Sequence, residues 1–142
     1  MREVAIQIEQ VSKSFQGRKV LKNISCELNW GQVYGIVGNN GSGKTVLMKC
    51  ICGLLPYDEG SIRVAGKKIG KDVDLGMIIE SPGFLPGMTG IKNLKILAAV
   101  NHRIQEAQIR ETMRVVGLDP NLKQPVGKYS LGMRQRLGIA QA

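Results

Sequence analysis

Gly38-Asn39-Asn40-Gly41-Ser42-Gly43-Lys44-Thr45 is the stretch whose residue types and spacing could do chemistry. It satisfies G-x-x-x-x-G-K-[ST], a loop that holds the phosphates of a nucleoside triphosphate. A triphosphate carries several negative charges, and successive backbone N–H groups must turn inward to meet them. Glycine permits the dihedrals this needs and leaves no Cβ in the way. Lys44 would reach the β- and γ-phosphates, and the Thr45 hydroxyl would hold Mg2+. A helix opening at Thr45 would add the free N–H groups of its first turn, Val46 included, and the positive end of its dipole. An ordinary glycine-rich loop would explain the glycines but not the Lys-Thr pair at their end.

Certain elements must position such a loop. Val33-Tyr34-Gly35-Ile36-Val37 is a short apolar run that predicts a buried strand leading into it. Thr45 to Cys52 holds no Pro or Gly and predicts a helix, with Gly53 as its stop. Upstream, Val4, Ile6 and Ile8 alternate with polar residues and Val11 follows, a half-buried strand. Val20-Leu21 and Ile24 to Leu28 predict a second strand, and Trp30-Gly31-Gln32 a turn. Ser61 to Val64 and the segment around Ile69 flank Ala65-Gly66-Lys67, a hairpin turn. Leu75 to Ile79 predicts another short strand.

Beyond Ser81-Pro82-Gly83 the pattern becomes helical. Phe84 and Leu85 are the expected anchors of a Gly/Pro loop, and Thr89 the cap of a helix over Ile91 to Leu97. A second helix is expected from about Ile104 to Val116, with Ile104, Ala107, Ile109, Met113 and Val116 as its apolar members and Gly117 ending it. A last helix follows Ser130. The expected organisation is a strand-rich lobe over 1–80 that carries the phosphate loop, then a connector and helical lobe over 81–142.

The chain of 142 residues is 43% hydrophobic and carries a formal net charge of +9. Its basic residues are scattered, and no aromatics interleave with them as a nucleic-acid platform would need. Charged or polar residues interrupt every apolar run, so no membrane span is expected, and the N-terminus shows no signal peptide. Cys26, Cys50 and Cys52 are odd in number and lack C-x-x-C spacing, which predicts small core residues.

The assembled pieces resemble an ABC transporter ATPase over the whole chain, an α/β P-loop core with a helical subdomain. Val11-Ser12-Lys13-Ser14-Phe15-Gln16-Gly17 resembles the family's adenine-contacting segment, with Phe15 at the stacking position; alone, Phe15 could equally be a core residue. Tyr129-Ser130-Leu131-Gly132-Met133-Arg134-Gln135-Arg136 resembles the signature segment, in which Ser130, Leu131, Gly132 and Met133 would face the ATP held by a second ATPase subunit. Read alone, Ser130 is an ordinary helix cap. Met77-Ile78-Ile79-Glu80 looks superficially like a strand ending in a Walker B acid. Its place upstream of the signature instead matches the family's Q-loop, with Glu80 standing in for Gln and reaching Mg2+ through a water. Glu80 together with Ser-Leu-Gly-Met is similar to the bacitracin-resistance and lantibiotic-immunity branch.

The resemblance implies ATP and Mg2+ as cofactors and a separate membrane permease as partner. It implies a cytoplasmic place on the inner face of the membrane, and export of a peptide antibiotic. Lys44 and Glu80 would contribute to catalysis without completing it. The family's Walker B Asp, general-base Glu and switch His have no counterpart here, and His102 lies upstream of the signature. The expectation is therefore an N-terminal portion of a longer ATPase, weak or inactive as a hydrolase alone. A non-transport ABC ATPase and a nucleotide-binding module without catalysis remain as alternatives.

Overall fold

The computed structural model describes residues 3–69, 75–79, 83–101 and 104–142. Glu80 and His102, singled out above, lie outside the described residues. The chain divides into two compact units, Met1–Leu75 and Gly76–Ala142.

In the first unit, β1 (Val4–Phe15) and β2 (Arg18–Asn29) form a long antiparallel hairpin. Gln16 and Gly17 join them with φ of 48° and 79°, the paired left-handed conformations whose twist matches that of the flanking strands. β3 (Glu59–Val64) pairs with the other edge of β1, and β4 (Lys67–Lys68) with β3, giving the order β2-β1-β3-β4. Ala65 and Gly66 make the same kind of turn between β3 and β4, at 49° and 74°. Helix α1 (Lys44–Ile51) contributes Leu47, Cys50 and Ile51 to a core completed by Ile8, Val11, Leu21 and Ile62.

Strict alternation would put Ile8 and Val11 on opposite faces of β1, yet both are buried. A bulge resolves this. Gln10 takes φ of 49°, and the register slips between Ile8 and Val11, so both side chains face the core. Nearby hydroxyls accept backbone N–H groups around this irregular stretch: Ser25 Oγ from Gln10 at 2.9 Å, and Ser12 Oγ from Asn23 at 3.1 Å. The bulge also brings β3 close. Gly60, at φ of 92°, lies so near that a Cβ would collide with the carbonyl groups of Glu9 and Gln10. Gly60→Ala is expected to lower stability by about 2 kcal/mol, read from its denaturant midpoint at unchanged slope.

The second unit holds α2 (Gly90–Asn101), α3 (Glu106–Val115), a 3-10 turn at Val126–Lys128 and α4 (Leu131–Gln141). Leu94, Ala98, Ile109, Met113, Leu118, Val126, Tyr129 and Leu137 form its core. Thr89 Oγ1 accepts from Lys92 N at 3.4 Å, the expected cap. Gly53 and Gly117 end their helices as the sequence predicts. In each case the next residue's N–H reaches back across the last turn, Leu54 to Lys49 O at 2.9 Å and Leu118 to Met113 O at 2.8 Å.

Several expectations are corrected. Val33–Val37 and Leu75–Ile79 are not strands. An apolar run becomes a strand only by pairing, and neither run has a ladder partner among the described residues; Val33 and Val37 are 102% and 94% exposed. Cys50 is buried, but Cys26 is exposed and Cys52 only half-buried. α3 begins at Glu106, leaving Ile104 exposed ahead of it; on the helix only Ile109 and Met113 are buried, and Ala107 is exposed. Phe84 packs on the second core, whereas Leu85 is 46% exposed.

What fixes Leu85 is its backbone. Asn93, 4% exposed, accepts from Leu85 N through Oδ1 at 2.7 Å. Its Nδ2 donates to the carbonyls of Leu85 at 3.2 Å, Thr89 at 3.1 Å and Met88 at 3.5 Å. One side chain on α2 thus ties down the loop that leads into the helix.

Candidate functional site

The loop before α1 is closed by short contacts. Ser42 N donates to Asn39 O at 3.1 Å, and a Cβ on Gly38 would stand 2.7 Å from Ser42 Oγ. Gly43 is the N-cap of α1 at φ of 95°, a left-handed conformation with no Cβ penalty only for glycine. It is buried against β2, where a Cβ would stand 3.0 Å from both Val20 Cγ1 and Leu21 Cδ2. β2 of the hairpin therefore seats the end of the loop.

Lys44 folds back over that loop and donates to Gly38 O at 2.7 Å and Asn39 O at 2.8 Å. No side chain caps the start of α1, and its first turn holds no acid. Thr45 is exposed beside it. A lysine that donates to two neutral carbonyls, next to an uncapped helix start, is a fit for a polyphosphate: it offers positive charge and backbone donors. For a divalent cation the fit is partial. Thr45 offers one hydroxyl, and no cluster of His, Cys, Asp or Glu among the described residues could hold a metal by itself. A Mg2+ here would take its remaining ligands from phosphate and water.

Phe15 ends β1 with 42% of its surface exposed. The Lys13 ammonium sits 5.5 Å from its ring centroid. Asp58 holds that ammonium at 2.7 Å through Oδ1 and accepts from Ser14 N at 2.7 Å through Oδ2. These two hydrogen bonds, Lys13's first and Ser14's next, hold the Asp58 carboxyl below the usual carboxylate range, helped by the charges of Lys13 and Lys19. A depressed carboxylate stabilises the fold fully above the unfolded pKa of about 4 and loses that contribution as pH falls through the lower folded value. The thermal midpoints of wild type and Asp58→Asn are accordingly expected to differ at neutral pH and to converge on acidification.

In the second unit, Ser130 caps α4. Its Oγ accepts from Met133 N at 3.2 Å, and its carbonyl accepts from Arg134 N at 3.0 Å. Ser130, Leu131 and Gly132 are exposed, with Leu131 66% so. Met133 instead packs against the core, so the exposed helix start is formed by its three predecessors.

Residues 21–142 match the family described as ABC transporter. The chain belongs to the ABC transporter family. It is 40% identical to the ABC transporter ATP-binding protein YdbJ of Bacillus subtilis (strain 168), over 100% of this chain and 48% of that protein. It is 35% identical to the bacitracin transport ATP-binding protein BcrA of Enterococcus faecalis, over 99% of this chain and 47% of that one. The lantibiotic transport ATP-binding protein SrtF of Streptococcus pyogenes is 35% identical over 95% of this chain and 59% of its own length. The chain spans about half the length of the first of these relatives. Its fold is that of a solved ATP-binding subunit of an ABC transporter, at a TM-score of 0.80 and 22% identity, covering 97% of this chain and 61% of that one.

Some features of this ABC chain were not singled out from the sequence. Asp58 lies far along the chain from Lys13 and Phe15, and only the fold joins them. Lys13 carried a readable signal, being two residues before an aromatic on a strand and so on the same face. Asn93 looked like any polar residue of a helix.

Proposed function

We propose that this chain supplies the ATP-binding half-site of a transporter's ATPase subunit. The observation that carries this is the loop itself: Gly38 to Gly43 folded on the hairpin, with Lys44 across it and an uncapped helix behind. Asn39, Asn40, Gly41 and Ser42 would line the triphosphate with backbone N–H groups, joined by those of Gly43, Lys44, Thr45 and Val46. Lys44 would exchange its two carbonyl partners for β- and γ-phosphate oxygens, a gain because charge-assisted bonds are the stronger. Mg2+, held in part by Thr45 and through water by Glu80, would neutralise charge on the phosphates. Phe15 would stack on the adenine.

Ser130, Leu131 and Gly132, with the Met133 backbone, would meet the γ-phosphate held by a second ATPase subunit. Two shared sites would then close as ATP binds and push on a membrane permease. No helix among the described residues is long and apolar enough to cross a membrane. The permease would be a separate partner, as in the family this chain belongs to, with this subunit against it from the cytoplasmic side. The resemblance to bacitracin and lantibiotic transport proteins supports export of a peptide antibiotic.

The test is genetic. Loss of the gene is expected to raise sensitivity to bacitracin or a lantibiotic, and wild type but not Lys44→Ala is expected to restore resistance. Unchanged sensitivity to both peptides would overturn the cargo. Full rescue by Lys44→Ala would overturn ATP-driven transport.

A further inference from the structure

We propose that Lys13 and Asp58 are positioning residues that present one face of the Phe15 ring to a purine base. This rests on the reading of Phe15 as the stacking residue and adds what sets its geometry. Lys13 and Phe15 are two apart on β1, so their side chains leave the strand on one face. The ammonium lies 5.5 Å from the ring centroid, within reach of a cation–π attraction. A lysine on an exposed hairpin would ordinarily sample many rotamers. Here its side chain is 12% exposed, and Asp58 grips its end at 2.7 Å.

Asp58 acts at three points along the same run. Its backbone N–H donates to Ser12 O at 2.9 Å, one carboxylate oxygen holds Lys13, and the other accepts from Ser14 N at 2.7 Å. The backbone on the near side of Phe15 and the cation over its ring are thus fixed by one residue. With an ammonium over one face of the ring, the opposite face is the one left for a ligand. The cation also draws π density toward itself, which weakens the negative field that the open face presents to an electron-rich purine.

The same hairpin seats the phosphate loop. Lys13 pairs in register with Leu21, and Leu21 with Val20 forms the surface on which Gly43 rests. The base platform and the end of the phosphate cradle therefore share one rigid support.

The experiment compares dissociation constants for Mg-ATP and for inorganic tripolyphosphate, which has no base. Wild type, Phe15→Ala, Asp58→Asn, Lys13→Met and Lys13→Arg are measured in the full-length protein. Phe15→Ala is expected to weaken ATP by about tenfold or more and to leave tripolyphosphate unchanged. Asp58→Asn and Lys13→Met are expected to weaken ATP alone by about threefold to tenfold, and Lys13→Arg to retain wild-type preference because the cation is kept. If Phe15→Ala leaves the ratio of the two constants unchanged, the stacking reading fails. If Phe15→Ala shifts the ratio but Asp58→Asn and Lys13→Met do not, only the positioning role fails. Equal loss of both ligands in the Asp58 and Lys13 variants means a merely structural pair and also overturns it.

Discussion

Lys44→Ala is expected to weaken Mg-ATP binding by about tenfold to a hundredfold while leaving the fold intact. A hydrogen bond to a charged group contributes about 1.5–3 kcal/mol, and Lys44 is the cation we propose meets the triphosphate. Its bonds to Gly38 O and Asn39 O are the ones that hold it in the absence of nucleotide. Both carbonyls belong to exposed residues, so water can replace the ammonium at little cost. The prediction is therefore a separation: calorimetric affinity collapses, and the thermal midpoint without nucleotide stays within the range of an ordinary surface substitution. A large fall in the midpoint would mean that Lys44 holds the loop together rather than serving the ligand.

Asn93→Leu is expected to cost about 2–3 kcal/mol of stability. Leucine has a similar size, so the loss is not a cavity. It strands the Leu85 N–H, while the carbonyls of Leu85, Met88 and Thr89 lose a second donor but keep the N–H groups of Met88, Val126 and Asn93. A buried polar group left without its partner costs about 1–3 kcal/mol, and the Met88 bond at 3.5 Å adds least. The denaturant midpoint at constant slope measures it. A change below about 1 kcal/mol would mean that water reaches the loop and Asn93 is not what holds it. Because this loop follows the Glu80 segment, the variant also separates loop order from nucleotide affinity, which lies in the other unit and is expected to persist.

Local patterns were the legible part. The loop before α1, the β3–β4 turn, and the glycine stops at Gly53 and Gly117 each depend on a few neighbouring residues and are legible directly. Val33–Val37 shows where reading by hydrophobicity stops: apolar composition says that a segment wants burial, not which strand will pair with it. The hairpin was only half legible. Ile8 and Val11 break alternation, and without the Gln10 bulge their spacing gives no consistent face. At the candidate site, Lys44, Thr45 and Ser130 were legible because their spacing is local. Asp58 and Asn93 were not, since each acts through backbone groups that only the fold brings near.

The central claim is that the loop from Gly38 to Thr45 with the start of α1 binds the triphosphate. Amide shift changes in 15N-labelled protein on titration with Mg-ATP test it most directly. The predicted result is saturable shifts concentrated on Asn39 to Val46, with smaller ones near Phe15 and none at Asn93. Shifts that leave Gly41, Gly43, Lys44 and Thr45 untouched, or that spread evenly without saturating, would contradict it.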